Sequence, residues 1–222
     1  MENSSAQETP RAASLRGRQA EALRNDAAIV AAAREVFLSD PAAPMAAVAA
    51  AAGVGVGGLY RRYAGKDELL QRVCGDGLRT FVGFADEALA DTGDAWAVFE
   101  RFLQAVVDSD VHALTMRLAG TFRSTEALRT LAARSDATVE RLVRRTQRRG
   151  GLRRDVTAAD LPVLLQQLSA VAVSDPYRTG HLRRRYLRLV LDGLRVTHPV
   201  DGRLPGPGPS PAELGERWAR SR

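Results

Sequence analysis

Between Pro44 and Lys66 the chain reads PMAAVAAAAGVGVGGLYRRYAGK, and this stretch constrains the fold more than any other. Pro44 suits the first position of a helix, where its missing N–H costs nothing, and Met45, Val48, Ala49 and Ala52 follow as an apolar stripe at helical spacing. Gly53 ends that helix, because a short turn needs φ > 0 and glycine takes it without steric cost. Val54 and Leu59 give the next segment an inward face, so the pattern is helix, tight turn, helix. Small Ala49 leaves room for two helices to cross steeply. The second helix is expected over Val56 to Tyr63, where Gly57 and Gly58 cost about 1 kcal/mol each relative to alanine. It therefore forms only if Leu59 and Tyr63 are packed.

The same two glycines leave a bare patch through which backbone can approach another surface closely. Tyr60, Arg61, Arg62 and Lys66 surround it with hydroxyl, guanidinium and ammonium donors, a set suited to phosphates and guanine edges. The rival reading of GVGVGG is a dinucleotide-binding loop, which needs a β-strand before the glycines and an acidic ribose partner about 20 residues later. AAVAAAA is a helix former, and no strand precedes the glycines.

From Ala27 to Leu70, through AAREVF and AAVAAAAGVGVGGLYRRYAGKDELL, the chain resembles the N-terminal DNA-binding domain of TetR-family transcriptional regulators. The resemblance implies that Val56, Gly57, Gly58, Tyr60 and Arg62 face DNA, and that Lys66 opens the following helix beside a phosphate. It further implies a homodimer, most often a repressor, whose two recognition helices enter successive major grooves of a pseudo-palindromic double-stranded operator. A small-molecule effector bound in the C-terminal domain would tilt the long helix that begins at Lys66 and spread the two readers. GGLRRDVTAADLPVLL resembles the start of the C-terminal domain in some actinobacterial members.

With 222 residues, 45% of them hydrophobic, the chain can bury a sizeable core, and it holds few alternating, β-branched segments. An all-α fold is expected: an N-terminal three-helix helix-turn-helix DNA-binding domain followed by a helical ligand-binding and dimerisation domain. Net charge is +6, with an isoelectric point near 10.3, and Lys66 is the only lysine. That balance favours a polyanion partner, although arginine and alanine enrichment also accompanies GC-rich coding. A single cysteine excludes internal disulfides, and Cys74 is expected to be packed within a helix. No apolar run approaches the roughly 20 residues a bilayer span needs, and no signal segment opens the chain, so a cytoplasmic protein without a membrane partner is expected. His112, His181 and His198 are scattered, and no metalloprotease, Walker-type or nucleophile-elbow motif appears. Catalytic residues, metal ligands and cofactors are therefore not expected. The alternatives are an enzyme carrying an incidental helix-turn-helix, or a helical adaptor that binds protein.

Four segments follow: a flexible basic arm over 1–24, the DNA-binding domain over 25–70, the helical domain over 71–196, and a Pro/Gly-rich tail over 197–222. Asn25 or Asp26 is expected to cap the first helix, whose inward face is Ile29, Ala33, Val36 and Phe37. Asp67 and Glu68 complement the start of the long helix and leave Lys66 for a phosphate. Asp94 caps the next helix, a shorter one runs from Val111 to about Phe122, and another begins near Ser124 and stops at Gly150-Gly151. Trp96, Phe99, Phe102, Met116 and Phe122 form the richest aromatic and soft apolar cluster. With His112 and Arg117 as polar anchors they could line a cavity for a mainly apolar ligand. Thr157 or Asp160 caps a helix carrying Leu161, Leu164, Leu165, Leu168 and Val171. The last long helix, about Tyr177 to Val196, has Leu182, Tyr186, Leu189, Val190 and Gly193 on one side and Leu187, Leu191 and Leu194 on another. Two apolar faces need two partners, so Leu164, Leu168, Leu182, Tyr186, Leu189, Val190 and Gly193 are the expected dimer interface. The arginine runs at 144–154 and 183–185 read as solvated faces. Ser210-Pro211-Ala212-Glu213 is a capping box for a short final helix.

Overall fold

The computed structural model describes residues 10–118, 120–196, 203–210 and 212–214, with side chains from residue 21 onward apart from 113 and 116. Its helices are α1 Pro10–Ser39, α2 Met45–Ala51, α3 Val56–Arg62, α4 Lys66–Ala90, α5 Ala95–Ser109, α6 Val111–Leu118, α7 Glu126–Arg148, α8 Asp160–Ser169 and α9 Pro176–Leu194. No strand occurs among the described residues, so the all-α expectation holds. The chain divides into two compact units, Met1–Leu69 and Leu70–Arg222, and α4 carries residues of both.

In the first unit α1, α2 and α3 bury Ile29, Ala33, Phe37, Met45, Val48, Ala49, Leu59 and Tyr63. α1 starts at Pro10, well before the expected cap at Asn25 or Asp26, so part of the expected flexible arm is helix. The reason is propensity: alanine, leucine, arginine, glutamine and glutamate extend an existing helix without a new nucleus, even where no apolar stripe marks them. Residues 1–9 lie outside the described part. Asp26 stands inside α1, where it is buried and accepts from the last residue of α3.

In the second unit α5 is the hub. Asp94 caps it by accepting from the Ala97 amide at 2.8 Å, and Asp110 ends it in the left-handed region at φ 55°. Its Trp96, Val98, Phe99, Phe102, Leu103 and Val106 are buried with Leu142 and Val143 of α7, Leu161, Leu165 and Leu168 of α8, and Leu187, Leu191 and Leu194 of α9. Several boundaries shift from expectation. α6 stops at Leu118, and Thr125 caps α7 through the Leu128 amide at 3.2 Å. At α8 it is the Asp160 side chain that reaches back to the amide and hydroxyl of Thr157, and at α9 Asp175 caps with Pro176 in the first turn. A Cβ on Gly151 would stand 3.0 Å from the Trp96 Cβ, so a glycine is needed where the α7–α8 link crosses α5. The same link pairs with the end of α9, Arg153 N donating to Leu194 O and Val196 N to Gly151 O, both at 3.1 Å.

Two arginines in the runs read as solvated faces are structural. Arg145 donates to the carbonyls of Ala88, Leu89 and Asp91, and so closes the C-terminal end of α4. Arg183 does the same for α8 through Ser169 and Val171, and pairs with Asp110 at 2.9 Å. Arg145→Met keeps the stem and removes these donors. It is expected to lower unfolding free energy by about 1–3 kcal/mol in denaturant titration, whereas Arg144→Met, whose ion pair with Glu140 is exposed, changes it by less than about 0.5 kcal/mol.

In the tail, Leu204 N donates to Asp155 Oδ2 at 2.8 Å, and Ser210 and Glu213 satisfy each other's amides as the capping box requires. The Asp155 carboxyl sits well below the usual carboxylate range, held there first by Arg153 and then by the Leu204 amide. Cys74 is buried, and burial pushes its thiol up to about 12, so it stays a packed, protonated side chain. No helix among the described residues is long and apolar enough to cross a membrane.

Candidate functional site

The turn between α2 and α3 is built by backbone alone. Gly53 takes φ +67°, Gly53 N donates to Ala50 O and Val54 N to Ala49 O, the paired bonds of a Schellman motif. Gly55 is extended and accepts the first amides of α3, from Gly58 at 2.9 Å and Leu59 at 3.1 Å. α3 then buries Leu59 completely, and Tyr63 is buried just past its end. The remaining positions fall on the opposite side: Val56, Gly57, Tyr60 and Arg61 are all exposed, an i, i+1, i+4, i+5 stripe. A Cβ built on Gly57 meets nothing within 4 Å, and one on Gly58 meets only the Arg61 guanidinium at 3.8 Å. The stripe is therefore bare in its middle and carries an aromatic hydroxyl and a guanidinium at its C-terminal end.

Arg62 and Lys66 differ from this group. Arg62 Nε donates to Asp26 Oδ1 at 2.7 Å, and the Tyr63 hydroxyl donates to the same oxygen at 2.6 Å. The bond to Asp26 holds the Arg62 guanidinium above its ordinary value. The Lys66 ammonium, expected to be free, donates to Ala43 O at 2.8 Å and lies 5.2 Å from the Phe37 ring centroid. It is half-buried and ties the first turn of α4 to the α1–α2 turn, while the neighbouring Glu68 accepts from Ala64 N. Sequence spacing showed the donors but not these intramolecular acceptors.

In the second unit Trp96, Phe99 and Phe102 are part of the main core, and Phe122 is buried. Arg117 is exposed, and Met116 lies outside the described side chains. The structure gathers a smaller group around His112. Its Nε2 lies 3.0 Å from Pro162 O, and Phe81, which packs edge-on to Phe102 at 5.6 Å, lies 6.5 Å from the His112 ring. Phe81 and Pro162 are not among the expected cavity residues, because Phe81 stands on α4, outside the Trp96–Phe122 stretch where the aromatics gather, and a backbone carbonyl leaves no sequence signal. Burial pushes the His112 pKa down to about 4, opposed by the Pro162 carbonyl. The folded state therefore prefers neutral imidazole. His112 leaves stability untouched above its ordinary value near 6.5 and lowers it as pH falls from there towards about 4. His112→Gln is expected to flatten that part of a melting-temperature profile taken from pH 7 to pH 4.

Of the expected interface residues, Tyr186, Leu189 and Gly193 are exposed on α9, and Leu164, Leu182 and Val190 are half-buried. Leu168 is buried in the core with Leu161 and Leu165, since those three positions share the inward face of α8, so it offers no surface.

A model of the TetR-family regulatory N-terminal domain matches residues 29–73. A model described as the C-terminal domain of SbtR-like transcriptional regulators matches residues 91–196. Among curated proteins none matches the chain. Among solved structures, a TetR transcription regulatory protein from Mycobacterium vanbaalenii is 31% identical, over 80% of this chain and 99% of its own, with a TM-score of 0.54. The TetR-like regulator LfrR from Mycobacterium smegmatis, in complex with proflavine, is 23% identical over 76% of this chain and 96% of its own, at a TM-score of 0.57. A gamma-butyrolactone receptor described as ArpA-like is 17% identical over 90% and 96%, at 0.59. The last two likenesses concern the fold alone. With both domain models in chain order, a full-length relative above 30% identity and the exposed stripe of α3 in place, the chain belongs to the TetR family of bacterial transcriptional regulators.

Proposed function

We propose that this regulator is a homodimeric repressor that reads a pseudo-palindromic operator through α3 and is released by a small, mainly apolar effector. The observation that carries the reading is the exposed α3 stripe with bare Gly57 at its centre, on a helix anchored from behind by Leu59 and Tyr63. Tyr60 and Arg61 are set for phosphate and backbone contact, Val56 for a thymine methyl, and Arg62 for a base edge. Paired readers enter successive major grooves about 34 Å apart. The arginines of the second unit support one nucleic-acid face and not two, because Arg145, Arg183, Arg184 and Arg188 are engaged by carbonyls or carboxylates of their own unit.

The effector site lies around Phe81, Phe102 and His112, where neutral imidazole offers one polar group among aromatic rings. Structural neighbours in complex with proflavine and acting as a gamma-butyrolactone receptor support small-molecule control of this architecture. Screening small organic molecules for release of the operator complex tests this, and His112→Ala should weaken any hit with a polar group while leaving operator affinity unchanged.

The DNA reading is tested by selecting an operator from random duplexes and titrating it over a salt series. Loss of affinity with rising salt marks a DNA binder, and a flat response would turn the reading towards a protein-binding adaptor. Tyr60→Phe is expected to weaken all duplexes about equally. Lys66→Ala is expected to lower the salt slope by about 1 per subunit, about 2 for the dimer, the ammonium turning to a phosphate in the complex. It should also lower the melting temperature, since the Ala43 carbonyl loses its donor.

A further inference from the structure

Arg62 is the donor of α3 that another helix has hold of. Asp26 lies on α1, 36 residues earlier in the chain, and its side chain is 12% exposed while that of Arg62 is 42% exposed. The Tyr63 hydroxyl donates to the same Asp26 oxygen, and Tyr63 itself is 5% exposed. The carboxylate is therefore a fixed post, and the arginine is a half-exposed arm fastened to it near its base. Fastening through Nε uses one of the five guanidinium N–H donors, and Tyr63 adds a further side-chain contact to the same arginine; O6 and N7 of a guanine are met by a pair of guanidinium N–H donors such as those on the two Nη groups.

An acid beside a DNA-facing helix is costly for plain electrostatic attraction, since it cancels a charge that would otherwise neutralise a phosphate. Its benefit lies in order. An arginine loses rotamer freedom when it docks, and a side chain already held in one orientation loses less. We infer that Asp26 is a positioning residue for operator reading: by holding Arg62 through Nε it presents the Nη pair in one orientation, raising base discrimination and lowering indiscriminate affinity for DNA. This rests on the proposed reading that Arg62 touches a base edge.

The test uses the full-length protein, a selected operator, single base-pair variants of each half-site, and an unrelated duplex, with affinities from fluorescence anisotropy and unfolding followed in parallel. Asp26→Asn keeps an acceptor for Tyr63 and removes the ion pair. Preference at one base pair per half-site is expected to fall about 2- to 12-fold, the equivalent of holding one rotamer-rich side chain. Affinity for the unrelated duplex is expected to stay level or rise. Asp26→Glu keeps the charge but moves the post, and should relax the same position. Equal loss for operator and unrelated DNA would mean that Asp26 is merely structural and would overturn the inference, as would wild-type discrimination in both variants. Arg62→Ala and the double variant Asp26→Asn/Arg62→Ala separate this outcome from failure of the underlying reading. If neither alters any base preference, Arg62 does not read DNA. If both relax one position that Asp26→Asn leaves intact, Arg62 reads without help and the present inference alone falls. The double variant leaves no carboxylate stranded at position 26, so a folding defect in Arg62→Ala does not obscure the result.

Discussion

Gly57→Leu is expected to give a protein that folds, dimerises and melts no lower than wild type, yet holds its operator no better than unrelated DNA. Gly57 lies in α3, and a Cβ added there would meet nothing within 4 Å, so the folded chain has room for leucine. Gly57 is the second residue of α3, so replacing it also gains part of the roughly 1 kcal/mol that separates glycine from better helix formers in a helix interior. Against duplex the sign reverses, because four added carbons stand where backbone must reach the groove floor or wall. Loss of the specific increment corresponds to roughly a thousandfold or more in affinity. Circular dichroism and sedimentation establish that the variant is intact, and anisotropy with the selected operator reads the loss. Wild-type binding by an intact Gly57→Leu protein would show that α3 does not face DNA as proposed.

The second large effect is expected at Leu189, which is 60% exposed on α9 beside Tyr186 at 42%. The other side of α9 is already occupied, since Leu187, Leu191 and Leu194 are buried in the core. Leu189→Arg costs the monomer little, because the side chain already faces out. In an isologous dimer it brings two guanidinium groups to one desolvated seam. The variant is expected to sediment as a monomer at micromolar concentration. It should lose about 100-fold or more in operator affinity, as the two half-sites are then bound independently. A dimer that survives both Leu189→Arg and Tyr186→Arg would move the interface off α9.

Much of the helical plan could be read from punctuation. Gly53, Asp94, Gly150-Gly151 and the Ser210–Glu213 box act within a few residues of themselves, and their effect on backbone is local. The period of the apolar residues likewise told α9 to bury one side. Reading failed where the deciding partner was distant or silent. α1 begins at Pro10 because propensity extends it, with no apolar stripe to announce the fact. Lys66 and Arg62 read as free donors because their acceptors, the Ala43 carbonyl and the Asp26 carboxylate, stand 23 and 36 residues away. Leu168 read as surface because periodicity does not tell which of two leucine rows a neighbouring helix will cover.

The all-helical class, the helix-turn-helix and its bare glycine patch follow from the residues alone, since they depend on dihedral freedom, helix propensity and spacing along one stretch of chain. Folding settled the rest: which donors remain available, that Arg145 and Arg183 close helix ends, and that Phe81 and the Pro162 carbonyl join His112. Those outcomes depend on hydrogen bonds and packing between residues far apart in the chain, where neither spacing nor composition carries information about which polar group will find which partner.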